Sequence, residues 1–219
     1  MVKLICRADL GEVFLTKHRN KEAWIEDILE AAAEVIDRSG YTNLTMEAIA
    51  AESGLSKGGI YRFFKNKEDV ALALFSRLHM ELLDFGVSEV ISWNTSLEDT
   101  ISRLLFVQLE GDKAARVERI WIQLLPETLW SQAFRDEAQR LTRYMRGKYR
   151  KLIGKIVERD GVDAAEGFSV RLETALDFGV AVMQGLSIQG SEGMPREERA
   201  DLLKRFIQVM MEYVLGERA

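Results

Sequence analysis

The residues best suited to a definable chemistry form a short basic run in an acidic chain. Lys57, Arg62, Lys65 and Lys67 all lie between residues 53 and 67, a stretch without any aspartate or glutamate. Lysine ammonium groups suit phosphate oxygens, and an arginine guanidinium can donate two parallel hydrogen bonds to O6 and N7 of guanine. The whole chain has a formal net charge of −5. The run is therefore a local exception, and its residue types predict contact with nucleic acid.

Catalytic and metal-binding chemistry has little support in the sequence. The chain contains one cysteine, Cys6, and two histidines, His18 and His79. These residues form neither a metal cluster nor a cysteine–histidine pair at a familiar spacing. The glycine pair after Lys57 lacks both the spacing and the preceding strand of a phosphate-binding P-loop. We expect no enzymatic activity, no metal and no cofactor.

The composition predicts an all-α protein. Only Pro126 and Pro195 interrupt 219 residues, of which 47% are hydrophobic, and strong helix formers are abundant. A single cysteine excludes an internal disulfide. No apolar segment has the length of a signal peptide core or a membrane span. We expect a cytoplasmic protein without a membrane partner.

Helix signals place the basic run in a three-helix module. An amphipathic helix is predicted over residues 21–39, where a Ser-Gly pair ends it. Thr45 and Ser56 are each N-cap residues of a short helix, and a glycine-containing turn separates these two helices. Asn66 caps a longer helix that follows. Two short capped helices between an amphipathic helix and a long one form a helix-turn-helix DNA-binding head.

The basic run lies in a segment, about residues 28–75, that closely resembles the DNA-binding head of the TetR family of regulators. The segment contains the sequence TMEAIAAESGLSKGGIYRFFKNKEDV. The family typically has Thr at the start of the second helix, A-x-x-(A/S)-G-(V/L)-S at the turn and L-Y-x-x-F-x-(N/S)-K-E afterwards. The matching positions are Thr45, Ala50, Gly54, Ser56, Tyr61, Phe64, Asn66, Lys67 and Glu68.

The resemblance implies separate roles on DNA. It places residues 56–62 on the recognition helix and Thr45, Tyr61 and Lys67 on phosphates. Arg62 is then available for a guanine edge, and Lys57 is suited to either a base or a phosphate.

Two adjacent glycines, Gly58 and Gly59, stand inside this recognition helix. Each costs the helix roughly 0.8–1 kcal/mol relative to alanine. The expected compensation is a close approach of the backbone to DNA. Many relatives have Thr, Ser or Ala at the second position, so this chain is expected to depend more on Arg62, Lys57 and DNA shape.

The rest of the chain is predicted to be a larger helical bundle. Family members generally bind a small inducer in this variable second domain, and aromatic residues here could line an apolar pocket with Gln123 or Asp177 orienting the ligand. The alternative for each aromatic residue is ordinary core packing. The candidate helices span 97–110, 114–125, 127–158, 166–189 and 196–215. The predicted ligand-binding residues are Phe106, Trp121, Gln123, Trp130, Phe134, Met145, Phe178 and Met183.

The segment 175–188 carries a single charge, Asp177, and is apolar around most of its circumference. It must therefore be buried on more than one side. With residues 202–214 it could form half of a two-fold four-helix interface, and the resemblance also implies homodimerisation. A buried Asp177 would need a partner. The predicted interface residues are Asp177, Gly179, Val182, Leu186, Phe206 and Met210.

These expectations combine into a ligand-released repressor. The predicted organisation is an N-terminal arm over 1–20, a DNA-binding domain over 21–66, a connecting helix over 67–88 and a ligand-binding and dimerisation domain over 89–219. A homodimer would bind double-stranded operator DNA until a small, largely apolar inducer releases it. The alternatives are an activator or architectural DNA binder with the same head, and a helical enzyme or interaction module without a DNA role.

Overall fold

The computed structural model describes residues 20–90, 96–106, 111–161 and 167–216, and within these ranges all regular structure is helical. The prediction of an all-α fold is thereby confirmed. Residues 1–19 of the predicted arm lie outside the described residues. The helices are α1 Lys21–Ser39, α2 Met46–Ser53, α3 Lys57–Tyr61, α4 Lys67–Val90, α5 Leu97–Phe106, α6 Gly111–Leu124, α7 Glu127–Trp130, α8 Gln132–Asp160, α9 Phe168–Ser191 and α10 Arg196–Leu215, with a 3-10 turn at Tyr41–Asn43.

Local signals define the ends of the first helices. The Asn20 side chain accepts a hydrogen bond from the backbone N–H of Ala23 (2.9 Å) at the start of α1. Gly40 ends this helix with φ 87°, a backbone conformation that favours glycine. Gly54 ends α2 in the left-handed region with φ 68°. Glycines with a positive φ therefore end both α1 and α2.

Two hydrophobic clusters organise the chain, and α8 belongs to both. The first cluster joins the buried faces of α1 and α2 and Ile60 of α3 to α4, α6 and the first half of α8. The second joins the other half of α8 to α9 and α10. The head therefore shares its core with α4 and α6, which tie it to the bundle. None of the helices in the described ranges combines the length and the apolar character that a membrane crossing requires.

The single helix predicted over 127–158 is two helices. Ser131 adopts an extended backbone (φ −107°, ψ 123°), and its hydroxyl caps α8 by accepting from the N–H of Phe134 (3.5 Å). This break turns Trp130 away from the apolar stripe that continues into α8. Trp130 is 82% exposed, whereas Phe134 is buried.

Candidate nucleic-acid interface and ligand cavity

The helix-turn-helix is assembled by two hydroxyl caps. Thr45 Oγ1 accepts from the N–H of Ala48 (3.0 Å) at the start of α2, and Ser56 Oγ accepts from the N–H of Gly59 (3.1 Å) at the start of α3. Both residues are exposed. A hydroxyl that accepts one bond still has its own proton to donate. Each cap can therefore hold its helix and also donate to a phosphate oxygen.

Basic and aromatic side chains project from α3 and its C-terminal end. Tyr61 is 51% exposed, and Arg62 is exposed without an ion-pair partner among the described residues. Lys57 is also exposed, but its ammonium group pairs with Glu47 in the first turn of α2. The hydrogen bond from Lys57 lowers the pKa of Glu47, so the carboxylate is ionised at neutral pH. Lys57 is thus held by a carboxylate on the same face that would meet DNA.

The two glycines of α3 have different surroundings. A Cβ at Gly58 would meet no atom within 4 Å, whereas one at Gly59 would lie 3.4 Å from Ser56 Oγ and 3.9 Å from Trp24 Cζ3. Internal packing therefore does not require glycine at position 58. Its exposed side remains free for the close backbone approach that the sequence predicts.

Lys67 is positioned at the junction between the head and α4. Its Nζ lies 5.0 Å from the centre of the Tyr41 ring, within the range of a cation–π contact. Burial, with a smaller effect of the negative charges of Glu127 and Glu68, raises the pKa of the Tyr41 phenol to about 12. The neutral ring orients a lysine that is only half-buried, so its ammonium group can still reach a phosphate.

A cavity of about 180 Å³ lies inside the bundle between α8, α9, α10 and α6. Its wall is mainly apolar and contains Met145, Met183, Met210 and Met211. Methionine side chains adapt to irregular ligand shapes. The position, size and wall of the cavity suit a small apolar molecule.

The comparisons with known proteins agree with this arrangement. Residues 28–74 match the model of the bacterial regulatory proteins of the tetR family. The fatty acid metabolism regulator protein of Bacillus subtilis is 28% identical over 158 residues, covering 69% of this chain and 76% of that protein. The uncharacterized HTH-type transcriptional regulator YfiR of the same species is 29% identical over 193 residues, covering 85% and 87%. The match to the tetR family model thus covers the DNA-binding head, and the two relatives extend the similarity over most of the chain.

The protein is a DNA-binding transcriptional regulator, as the sequence predicts. A solved structure of another regulator supports the fold over most of this chain. A putative transcriptional regulator from Saccharomonospora viridis, in complex with choline, has a TM-score of 0.70 and 24% identity over 86% of this chain and 97% of that chain. The relatives are regulators rather than enzymes.

Only part of the predicted ligand-binding set lines the cavity. Trp121, Met145 and Met183 line it. Trp130 and Phe178 are exposed, and Phe134 is buried against Phe75 with 5.6 Å between ring centres. None of these three lines the cavity. Gln123 also lies elsewhere, since its Oε1 accepts from the N–H of Tyr41 (3.2 Å). The side chain of Phe106 lies outside the described residues.

The predicted interface residues mostly face inward in the single chain. Gly179, Phe206 and Met210 line the cavity, Leu186 is buried, and Val182 packs against the second cluster. Since α9 and α10 pack against each other and α9 also packs against α8, their inner sides are occupied. Asp177 is half-exposed in the single chain and already has a partner in Arg146, so its burial in a dimer interface stays a prediction.

His79 and Trp121 form a polar pair at one side of the cavity. Trp121 Nε1–H donates to His79 Nε2 (3.0 Å), and His79 Nδ1 lies 3.0 Å from the carbonyl oxygen of Phe75. An indole nitrogen can only donate, so Nε2 accepts and the proton of neutral His79 lies on Nδ1. Burial lowers the pKa of His79. This histidine is therefore a neutral residue with both ring nitrogens satisfied.

The sequence interpretation missed a buried ion pair behind the cavity. Arg199 Nη1 donates to Glu118 Oε1 (2.7 Å), and the two side chains are 8% and 15% exposed. The same nitrogen lies 3.4 Å from the carbonyl oxygen of Leu186. Arg199 occupies the first position of the buried stripe of α10, four residues before Leu203. The sequence did contain a signal for this pair, because Arg199 stands at a position of α10 where the helical spacing predicts an apolar residue.

Helix α6 joins the cavity to the head. Glu118 and Trp121 line the cavity, while Arg119, on another side of the helix, donates to both carboxylate oxygens of Asp37 on α1 (2.9 and 3.0 Å). The hydrogen bond from Arg119 lowers the pKa of Asp37. Arg116 adds ion pairs to two further carboxylates of α1. A displacement of α6 would therefore pull on the first helix of the DNA-binding head.

Proposed function

We propose that this regulator is a homodimeric repressor that leaves its operator when a small apolar ligand occupies the cavity. The observation that carries the proposal is the position of α6, which lines the cavity with Glu118 and Trp121 and holds α1 through Arg116 and Arg119. A ligand that prefers one position of α6 favours one position of the head. It changes DNA affinity only as far as its own affinity differs between the two states.

On DNA, residues 21–66 act as the reading head and α4 as the connection to the bundle. Thr45, Tyr61 and Lys67 bind phosphates, and Arg62 reads a base edge in the major groove. Lys57 also contacts DNA, once its ion pair with Glu47 has broken. Two heads related by a two-fold axis reach successive major grooves about 34–36 Å apart on a pseudo-palindromic operator. Such a protein acts in the cytoplasm of its cell.

The second copy binds the exposed sides of α9 and α10. Phe178 is 55% exposed and Val209 57% exposed, and exposed apolar residues recur around each at helical spacing. Large apolar side chains that stay in water on two adjacent helices favour burial in an interface. A four-helix contact between two copies of this chain would remove them from water. The proposed contact residues are Val170, Phe178, Ile188, Leu202, Val209 and Tyr213.

The dimer has a direct test with a matched control. Val209→Glu places a charge in the proposed contact, whereas Leu129→Glu places one on an equally apolar residue of α7 that is 69% exposed. Sedimentation should give a dimer for the unaltered chain and for Leu129→Glu, and a monomer for Val209→Glu. A dimer in all three proteins would reject this contact.

The ligand class follows from the wall of the cavity. Four methionines and few polar groups suit a flexible apolar chain. A relative named for fatty acid metabolism makes molecules with acyl chains the first class to test.

DNA binding is tested with a fragment that carries the promoter of the protein's own gene. Binding measured across a salt series should weaken steeply as salt increases, because phosphate contacts release counterions. Lys67→Ala should weaken binding to promoter and random DNA alike and lower the slope by about 1. Arg62→Ala should cost roughly 1–3 kcal/mol on the promoter. Lys113→Ala, on α6, is the matched control because Lys113 is 79% exposed and pairs with Glu81 of α4.

Equal effects of Arg62→Ala on promoter and random DNA would contradict its role at a base edge. Reporter expression after removal of the gene determines the direction of regulation. Expression should rise for a repressor, and a fall would instead identify an activator. The last measurement adds candidate acyl compounds to the complex of protein and promoter fragment, and the proposed function predicts that such a compound releases the fragment.

A further inference from the structure

An ion-pair ladder connects α8 and α9 beside the cavity. Arg146 pairs with Asp177, and one turn further along both helices Arg150 pairs with Glu173. Arg146 is one of the residues that line the cavity, whereas Arg150 is not. The ladder therefore has one rung at the ligand site and one rung beyond it.

Arg146 has unused hydrogen-bonding capacity. Its Nε is buried without a hydrogen-bond partner in the described part of the chain. The Nε atoms of Arg77 and Arg199 share this property, but these two residues do not line the cavity. A buried donor without a partner is costly unless a water or a ligand satisfies it. The position of Arg146 points to a ligand group.

Two other ionisable groups of the wall, Glu118 and His79, are already matched. The charge of Glu118 is balanced by Arg199, and His79 is neutral with both nitrogens bonded. Arg146, by contrast, shares its charge with an aspartate that is half in water. It is therefore the charged group of this wall that can change partners at the smallest cost.

We propose that the cavity binds a single-chain amphiphile with an anionic head group, whose carboxylate binds Arg146 and displaces Asp177. The apolar chain lies among the methionines of the cavity. The carboxylate accepts hydrogen bonds from Nε and a terminal nitrogen of the guanidinium, a side-on pair that satisfies the buried donor. Asp177 returns to water, so the ion pair between α8 and α9 at the ligand site opens when the ligand binds, while the pair between Arg150 and Glu173 stays closed. This inference rests on the proposed role of the cavity as the ligand site.

The test compares three probes with the same ten-carbon chain and different head groups: decanoate, decanol and decyltrimethylammonium. Binding to the full chain without DNA is measured by titration calorimetry below the concentrations at which the probes form micelles. Decanoate should bind most tightly. Arg146→Met should weaken decanoate about tenfold to a hundredfold, the usual effect of removing a charged hydrogen-bond partner, and should leave decanol unchanged.

Asp177→Asn should change the affinity for decanoate in the opposite direction. This second variant keeps the test valid even if Arg146→Met does not fold. It removes the competing carboxylate, so decanoate should bind more tightly than to the unaltered chain. Arg150→Met is the matched control, because it removes the same charge one turn away without touching the cavity. It should leave the affinity for decanoate within about twofold of the unaltered chain.

Equal binding of all three probes, or tightest binding of decyltrimethylammonium, would overturn the inference. Equal losses in Arg146→Met and Arg150→Met would also overturn it, since a general charge effect would then suffice. Operator release is measured separately. If decanoate and decanol release the operator equally well from the unaltered chain and from Arg146→Met, the inference fails and the proposed function stands. If decanoate binds through Arg146 without releasing the operator, the inference stands and ligand release fails.

Discussion

Replacing Gly190 by alanine is expected to be destabilising for a reason that lies on another helix. A Cβ at this position of α9 would lie 2.5 Å from Cζ of Arg199, 3.0 Å from its Nε and closer still to Nη1. The guanidinium of α10 therefore crosses directly over the glycine on its way to Glu118 on α6. The terminal group of an arginine can move, but Arg199 is 8% exposed. Moving it would leave the Glu118 carboxylate without its partner.

The magnitude follows from two opposing effects. Breaking a buried ion pair by removing one partner costs about 3–5 kcal/mol, and the partial exposure of Glu118 favours the lower end, about 3 kcal/mol. Alanine in a helix is better than glycine by up to about 1 kcal/mol. Gly190→Ala should therefore lower the free energy of unfolding by about 2 kcal/mol. After Arg199→Met the pair is already lost and the crossing group is gone, so the same change should raise stability by up to about 1 kcal/mol.

Urea unfolding of the unaltered protein, both single variants and the double variant measures this reversal of sign. All four should be compared at one protein concentration, because dimerisation makes apparent stability depend on concentration. The expected coupling between the two positions is about 3 kcal/mol. A Gly190→Ala effect that is the same in both backgrounds, within about 0.5 kcal/mol, would refute the crossing of the guanidinium over Gly190.

Three further predictions concern the head and the cavity. Gly58→Ala should raise thermal stability through helix propensity yet weaken operator binding, as measured by melting and by titration with DNA; unchanged affinity would argue against close backbone approach at this position. Glu47→Gln should increase affinity for random DNA and steepen its salt dependence by about 1, because Lys57 is released and a negative charge is removed; an unaltered slope would mean that the pair lies away from the phosphates. Because burial lowers the pKa of His79 below its ordinary 6.5, its contribution to stability is complete above that value and is lost as the pH falls through it toward the lowered folded-state pKa. His79→Phe should therefore lose less melting temperature than the unaltered chain between about pH 7.5 and about pH 5.5, and equal losses would contradict a neutral buried histidine.

The parts of the molecule that the sequence predicts well are those with local causes. Thr45 and Ser56 accept the hydrogen bonds of N-caps, and glycine ends α1 and α2 where a positive φ is needed. The cap, the turn and the apolar stripe of each helix lie within a few residues of one another. Reading them requires no knowledge of tertiary structure.

The cavity could not be predicted to the same degree because its wall depends on how whole helices are rotated. The break at Ser131 changed the direction of Trp130, which the uninterrupted pattern had assigned to the inside. Helix α9 is apolar on several sides. Hydrophobic periodicity alone therefore did not distinguish the side that lines the cavity from the side that stays exposed. Gly179 and Phe178 are sequence neighbours, yet the first lines the cavity and the second lies in water.

The acidic net charge, which at first opposes a DNA-binding role, has a structural explanation. Carboxylates of α1 are engaged by arginines of α4 and α6: Arg77 binds Glu26 and Glu30, and Arg119 binds Asp37. These acidic groups lie at the junction between head and bundle. The basic residues of α3 project from the exposed part of the head. The acidic groups that lower the isoelectric point thus attach the head to the helix that lines the cavity, and a negative net charge is compatible with a basic DNA-binding surface because the two kinds of charge lie on different parts of the head.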